Sequence, residues 1–135
     1  MTKWLLDTNA VIALVTRRSE PLLRRIESTE AGALAISSIV AHELYYGAYR
    51  SQKVEFNLET LRLLFADLDI LDVDQEDARA AGEIRAELAR RGTPIGPYDV
   101  LIAGQAMARG LPLVSNNTAE FQRIAGLKLE DWTRD

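Results

Sequence analysis

The sequence predicts an α/β fold: a three-layer α/β/α sandwich around a mainly parallel sheet of four or five strands. Three observations carry this. Short apolar runs recur along the chain, at Trp4-Leu5-Leu6, Ala33-Leu34-Ala35-Ile36, Ile70-Leu71-Asp72-Val73 and Leu111-Pro112-Leu113-Val114. Runs of this kind are expected of strands covered on both faces. Helical patterning separates them, as parallel strands joined by helical crossovers require. Finally, two of the runs stop abruptly at polar residues, Asp7 in one case and Ser115-Asn116-Asn117-Thr118 in the other. Open sheets of this class keep their ligand sites beyond the carboxyl ends of the strands.

In order, the first strand delivers Asp7 to its carboxyl end, and Thr8 or Asn9 is expected to cap a helix to about residue 17. Val11, Ile12, Leu14 and Val15 form its apolar face. Ser19-Glu20-Pro21 starts the next helix, with Ser19 as cap and Pro21 in the first turn, running to about residue 28. After the second strand, Ser37 or Ser38 caps a helix over residues 39–49 that carries His42 and Glu43 among Ile39, Val40, Leu44 and Tyr45. Residues 52–66 read as a helix with Phe56, Leu58, Leu61, Leu64 and Phe65 on its apolar side. The third strand gives way to Asp74, the cap of a long helix over 75–91 in which Ala78, Ala81, Ile84 and Leu88 are spaced for burial.

Gly92-Thr93-Pro94-Ile95-Gly96-Pro97 is the clearest loop, because its Gly and Pro residues steer the backbone. Pro97 then opens a helix over 97–109, with Asp99 in its first turn, and Gly110 ends it. The fourth strand breaks at Ser115, Glu120 and Phe121 lie on a short helix, and residues 127–129 form a weak last strand before Trp132.

Residues 1–135 are expected to form one domain, long enough to bury about two thirds of its unfolded surface. The 16 basic and 20 acidic side chains leave a net charge of -4, which excludes a generic polyanion binder relying on surplus cations. A nucleic-acid enzyme survives that objection only where metal ions cancel its carboxylates locally. The absence of cysteine removes disulfide and thiolate chemistry and fits a reducing cytoplasm. No apolar run approaches the roughly 18 residues of a membrane span, and the run before Asp7 is too short for a signal peptide.

Asp7 and Asn116 leave strand ends directly, while Glu43 and Asp99 sit in early turns of helices entering from the same edge. Taken alone, Asp99 is explained by the helix dipole, which favours an acid there by up to about 1 kcal/mol. An isolated Glu43 is explained as a solvated side chain. Gathered together they need more, because two carboxylates about 4 Å apart repel by roughly 4 kcal/mol at an effective dielectric near 20. With one His, no Cys and no obvious lysine in these loops, a hard divalent cation is the economical compensator. Oxygen ligands favour Mg²⁺ or Mn²⁺, and such an ion can hold a phosphodiester oxygen and acidify a bound water. The residues thus point to a metal-dependent hydrolase. His42, the only histidine, has no Ser or Cys motif beside it and is assigned to packing or hydrogen bonding.

Leu5-Leu6-Asp7-Thr8-Asn9, Glu43 on its helix, Ile95-Gly96-Pro97-Tyr98-Asp99-Val100-Leu101-Ile102-Ala103 and Val114-Ser115-Asn116-Asn117-Thr118-Ala119-Glu120-Phe121 together resemble the successive motifs of PIN-domain nucleases. The resemblance covers essentially the whole chain and is closest to the VapC-type toxins of bacterial toxin–antitoxin pairs. Gly96-Pro97-Tyr98-Asp99 is its most specific part. It implies a PIN-like sandwich and a Mg²⁺- or Mn²⁺-dependent endoribonuclease with its metal on Asp7, Glu43 and Asp99. It further implies an RNA substrate, a cognate VapB-type antitoxin that blocks the cleft, and a homodimer. Many family members carry Asp at the position of Asn117; here Glu120 is the candidate fourth carboxylate, with Asn117 a ligand through its carbonyl or a partner of a metal-bound water. Thr8, Asn9, Ser115 and Asn116 are candidates for the supporting shell, Ser115 by orienting Asp7 or a water.

Arg90 and Arg91, beside the Gly-Pro loop, are candidate phosphate contacts. Tyr45, Tyr46, Tyr49 and Trp132 are candidates for a dimer or antitoxin surface. Two rival readings fit less well. A haloacid-dehalogenase-type phosphatase wants a second Asp two residues after the first, where this chain has Asn9. A PIN-like module that binds RNA or protein after losing catalysis is not indicated, because all three of the stronger acids are present.

Overall fold

The computed structural model describes residues 1–134. Its elements run β1 (Trp4–Leu6), α1 (Thr8–Val15), α2 (Glu20–Glu27), β2 (Leu34–Ser37), α3 (Ser38–Tyr49), α4 (Val54–Ala66), β3 (Asp69–Leu71), α5 (Gln75–Arg90), α6 (Pro97–Arg109), β4 (Leu113–Val114), α7 (Thr118–Phe121) and β5 (Leu129–Glu130). The alternation is the predicted one. The strands form one sheet in the order β3-β2-β1-β4-β5, with every neighbouring pair parallel. Helices cover both faces, giving the three-layer sandwich.

The chain moves outward from β1 through β2 to β3 on one side, and through β4 to β5 on the other. The order therefore reverses between β1 and β4, where open sheets leave a crevice at the strands' carboxyl ends. Register places Leu5 opposite Leu113 and Leu6 opposite Val114, so Asp7 and Ser115 are the next residues up on either side of that crevice.

One contiguous apolar core fills the space around the central strands, with Leu5, Leu6, Ala35, Ile36, Leu113 and Val114 essentially inaccessible. β3 departs from the expectation of a buried run. It is the sheet's edge strand, so Ile70 is 40% exposed and the strand closes at Leu71, leaving Asp72 and Val73 outside it. Phe56 is likewise exposed, because it lies about 140° round α4 from the buried Leu61 at 3.6 residues per turn. Tyr45 is also exposed, its ring meeting Phe65 edge-on, whereas Trp132 is buried against Trp4. Trp132 therefore offers no surface to a partner.

Caps set the helix starts near the crevice. α1 is capped by Asp7 itself, whose Oδ1 accepts the Ala10 N–H at 2.8 Å, and not by Thr8 or Asn9, which are already helical. The helix also stops at Val15 instead of about residue 17, since Arg17 has left-handed backbone at φ 54. Ser37 caps α3, and Asp74 with Asp77 closes a capping box on α5. α6 is fixed by its close approach to α5. A Cβ on Gly104 would stand 2.6 Å from the Ala81 backbone nitrogen, so only glycine permits this contact. Buried Asp77 accepts hydrogen bonds from Gln105 and Arg109, which tie the two helices together. Among the described residues, no helix is long and apolar enough to cross a membrane.

Candidate active site

Because β1 and β4 are paired in parallel, the Asp7 N–H donates to the Val114 carbonyl at 3.1 Å and the Asp7 side chain is brought against Ser115. Asp7 is only 2% exposed. Its Oδ2 accepts the Ser115 hydroxyl at 2.5 Å while Oδ1 caps α1, so both oxygens are oriented. These hydrogen bonds favour the carboxylate, yet the Asp7 pKa is pushed up to about 6. Burial is the largest cause, and the negative charges of Asp99 and Glu43 add to it.

Asp99 enters from the first turn of α6, behind the Gly-Pro loop. Its pKa is also raised to about 6, chiefly by burial, then by the charges of Glu120 and Glu43 and by a hydrogen bond to Glu120. Glu43, in the second turn of α3, accepts the Thr8 hydroxyl at 2.7 Å, which links it to the start of α1. Glu120 is steadied by Asn117, whose Nδ2 donates to Oε2 at 3.3 Å. The Asn117 N–H in turn donates to Ser115 Oγ at 2.9 Å.

The structure therefore brings Asp7, Glu43, Asp99 and Glu120 into one electrostatically coupled group, with Thr8, Ser115 and Asn117 holding it. Other candidates stand apart. Asn9 is exposed in the first turn of α1, and Asn116 is exposed beside a polar recess lined by Arg18, Ser19 and Pro21. Arg90 and Arg91 are ion-paired to Glu87, not to any of the four acids.

Arg123 was not singled out by any motif. Its guanidinium donates to the Pro94 carbonyl at 3.1 Å, and its own carbonyl accepts from Arg91. This clip joins the loop leading to Asp99 with the segment that follows Glu120. The available signal is general: a loop rich in Gly and Pro has few ladder partners, and its carbonyls recruit side chains. A second unpredicted contact joins His42 to Tyr98, each the residue immediately before one of the acids, with ring centroids 5.6 Å apart.

Every donor in the acidic group is oxygen, the chemistry that hard divalent cations prefer. Among the described residues no three Asp, Glu, His or Cys side chains are drawn tightly enough together to form a ligand set unaided. Mg²⁺ commonly takes only one or two carboxylates and completes its shell with water and substrate phosphate, so the group fits such an ion. Burial first, and then the neighbouring acids, raise the pKa values of Asp7 and Asp99, and a cation would offset both costs of ionising them.

Comparison with known proteins agrees with this geometry. The PIN domain family model matches residues 4–127. The chain is 46% identical over 132 residues to the tRNA(fMet)-specific endonuclease VapC of Salmonella typhimurium, spanning 98% of this chain and 99% of that one. It is 44% identical over 133 residues to the protein of the same name from Shigella flexneri, spanning 98% and 100%. The solved structure of DNA-bound VapBC from Salmonella typhimurium superposes with a TM-score of 0.92 at 45% identity, covering 98% of this chain and 99% of that one. With the β1–β4 crevice, its acids and these relatives in agreement, the chain belongs to the PIN-domain family and, within it, to the VapC ribonucleases.

Proposed function

We propose that this ribonuclease hydrolyses RNA phosphodiester bonds in the cleft formed by Asp7, Glu43, Asp99 and Glu120, with Mg²⁺ as the metal and Mn²⁺ able to replace it. Nucleases of this family use divalent metal ions. The observation that carries the residue assignment is that Asp7 and Asp99, far apart in sequence, are both raised to about 6 by burial and then by neighbouring acids, with Glu43 acting on both.

A bound divalent cation supplies charge for the phosphodiester oxygens and a water of lowered pKa. Asp7, Glu43 and Asp99 would hold it. Ser115 and the Ala10 N–H fix the orientation of Asp7, Thr8 fixes Glu43, and Asn117 fixes Glu120. Arg90 and Arg91, exposed at the end of α5, serve as peripheral phosphate contacts. Replacing both is expected to weaken RNA binding and flatten its salt dependence.

An initiator tRNA is the first substrate to test, since the two relatives are named for tRNA(fMet). A VapB-type antitoxin blocks the cleft, and a homodimer forms through the exposed tyrosines of α3, Tyr46 and Tyr49. Sequencing the ends of cellular RNA after brief induction tests the activity, with Asp7→Asn as control. New, discrete ends are expected with the unaltered chain alone. The same ends in the Asp7→Asn cells would refute the site.

A further inference from the structure

We propose that His42 and Tyr98 form a nucleobase-stacking subsite at the rim of the acidic cleft, which takes an unpaired base next to the scissile phosphate. The proposal deepens the ribonuclease reading and rests on it. His42 directly precedes Glu43 on α3, and Tyr98 directly precedes Asp99 on α6. Two helices that each contribute an acid thus each contribute a ring, and the rings meet. Their planes stand at 81° with centroids 5.6 Å apart, and Tyr98 Oη lies 3.5 Å from His42 Nε2.

Packing alone does not explain this pair. α3 and α6 already bury Val40, Ala41, Ile102 and Ala103 in the core, whereas Tyr98 is 45% exposed and His42 is exposed as well. In an edge-to-face pair, the ring that presents its edge keeps both faces clear of its partner. An open face on a ring held in place by its neighbour is what an RNA base stacks on.

Charge makes such a contact useful. The chain carries a net charge of -4, and other arginines are already engaged, Arg62 with Glu59 and Arg109 with Asp77. Affinity for a polyanion cannot come from surplus cations here, so contacts that do not depend on charge must carry more of it. A stacking face accepts any base but needs one that is not already sandwiched in a duplex. The subsite therefore selects loops and single strands over paired RNA.

The test uses the Asp7→Asn chain, so that RNA is bound and not cut, and measures anisotropy of a labelled seven-residue oligouridylate. An abasic residue is walked through the oligonucleotide. We expect one position at which base removal weakens binding, and Tyr98→Leu to weaken the intact RNA by roughly five- to hundredfold. Tyr98→Leu is expected to be indifferent to base removal at that position, Tyr98→Phe to bind within about twofold of the parent, and the salt slope to stay unchanged. A purely structural role for Tyr98 would not abolish the response to one missing base. Thermal unfolding of each variant establishes that it is folded. The subsite is overturned if no abasic position matters, if Tyr98→Leu binds like the parent, or if its sensitivity to the missing base persists. Metal-dependent cleavage of tRNA by the unaltered chain is scored separately, so loss of the ribonuclease reading is distinguishable from loss of the subsite.

Discussion

Ser115 donates its hydroxyl to Asp7 across 108 positions of sequence while accepting the Asn117 N–H on the same oxygen. One hydroxyl thus joins the carboxyl ends of β1 and β4 and passes orientation from the backbone after β4 to the acid after β1. Ser115→Ala would leave a buried carboxylate oxygen and a backbone N–H without this partner. The expected cost is about 1–3 kcal/mol, read from urea unfolding. Because this bond lowers the Asp7 pKa, its loss should raise that pKa further above 6 and move the acid limb of the pH–rate profile upward. An unmoved acid limb would mean that Asp7 does not govern it.

Asp7→Asn should abolish cleavage and yet stabilise the metal-free protein near neutrality. The folded-state pKa of about 6 lies above the ordinary 3.8, so the folded chain binds the extra proton between those values. The contribution of Asp7 to stability is therefore fully present below about pH 4 and is lost as pH rises through 6. At 1.36 kcal/mol per unit, the loss for this one buried group is on the order of 3 kcal/mol. Asn is neutral and its carbonyl can still cap α1. In EDTA, the variant should melt above the unaltered chain at pH 7.5 and level with it at pH 4. Adding Mg²⁺ should raise the unaltered chain and close the gap. Equal melting curves at pH 7.5 in EDTA would contradict the proposed strain.

Where the chain carries unambiguous punctuation, its sequence was sufficient. Pro97 and Gly110 bound α6 to the residue, since Pro suits a helix's first turn and Gly110 adopts φ 65 at its end. Ser19 with Pro21 marked the start of α2. The cap of α1 was misassigned because Thr8 and Asn9 are equally good cap residues, and only the actual backbone angles put Asp7 outside the helix. β3 looked like a buried strand because local pattern reports hydrophobicity, while edge position follows from the order of the whole sheet. The convergence of Asp7, Glu43 and Asp99 was legible from strand ends and motif resemblance together. The electrostatic coupling of Asp99 to Glu120 and the Arg123 clip were not, because neither spacing nor residue type encodes how α7 lies against the loop before α6.

Glu120 and Asn117 should separate by function. Glu120→Gln removes the charge that helps raise Asp99 and the candidate fourth carboxylate, so cleavage should fall by about 10²-fold or more. Asn117→Ala only frees Glu120 from a 3.3 Å contact and should cost less than about tenfold. Single-turnover cleavage of one tRNA by both variants decides the matter. The reverse ranking would assign the fourth role to Asn117.

Gly104→Ala should destabilise the fold by about 1–3 kcal/mol or more, because its Cβ would press on the Ala81 backbone and part α5 from α6. Gly82→Ala is the matched control on α5, where a Cβ meets nothing within 4 Å. There the change should stabilise by about 0.5–1 kcal/mol, as for any helix-interior glycine. Chemical denaturation of both variants checks the pair, and equal effects would refute the close approach.

The central claim is that acids from three separate elements act together on one divalent cation to cut RNA. It is tested most directly by titrating Mn²⁺ into the unaltered chain, Asp7→Asn and Asp99→Asn, and following tRNA cleavage in the same samples. The unaltered chain should bind Mn²⁺ and cleave, and each variant should lose both. A folded variant that binds the ion and cleaves as the unaltered chain does would contradict it.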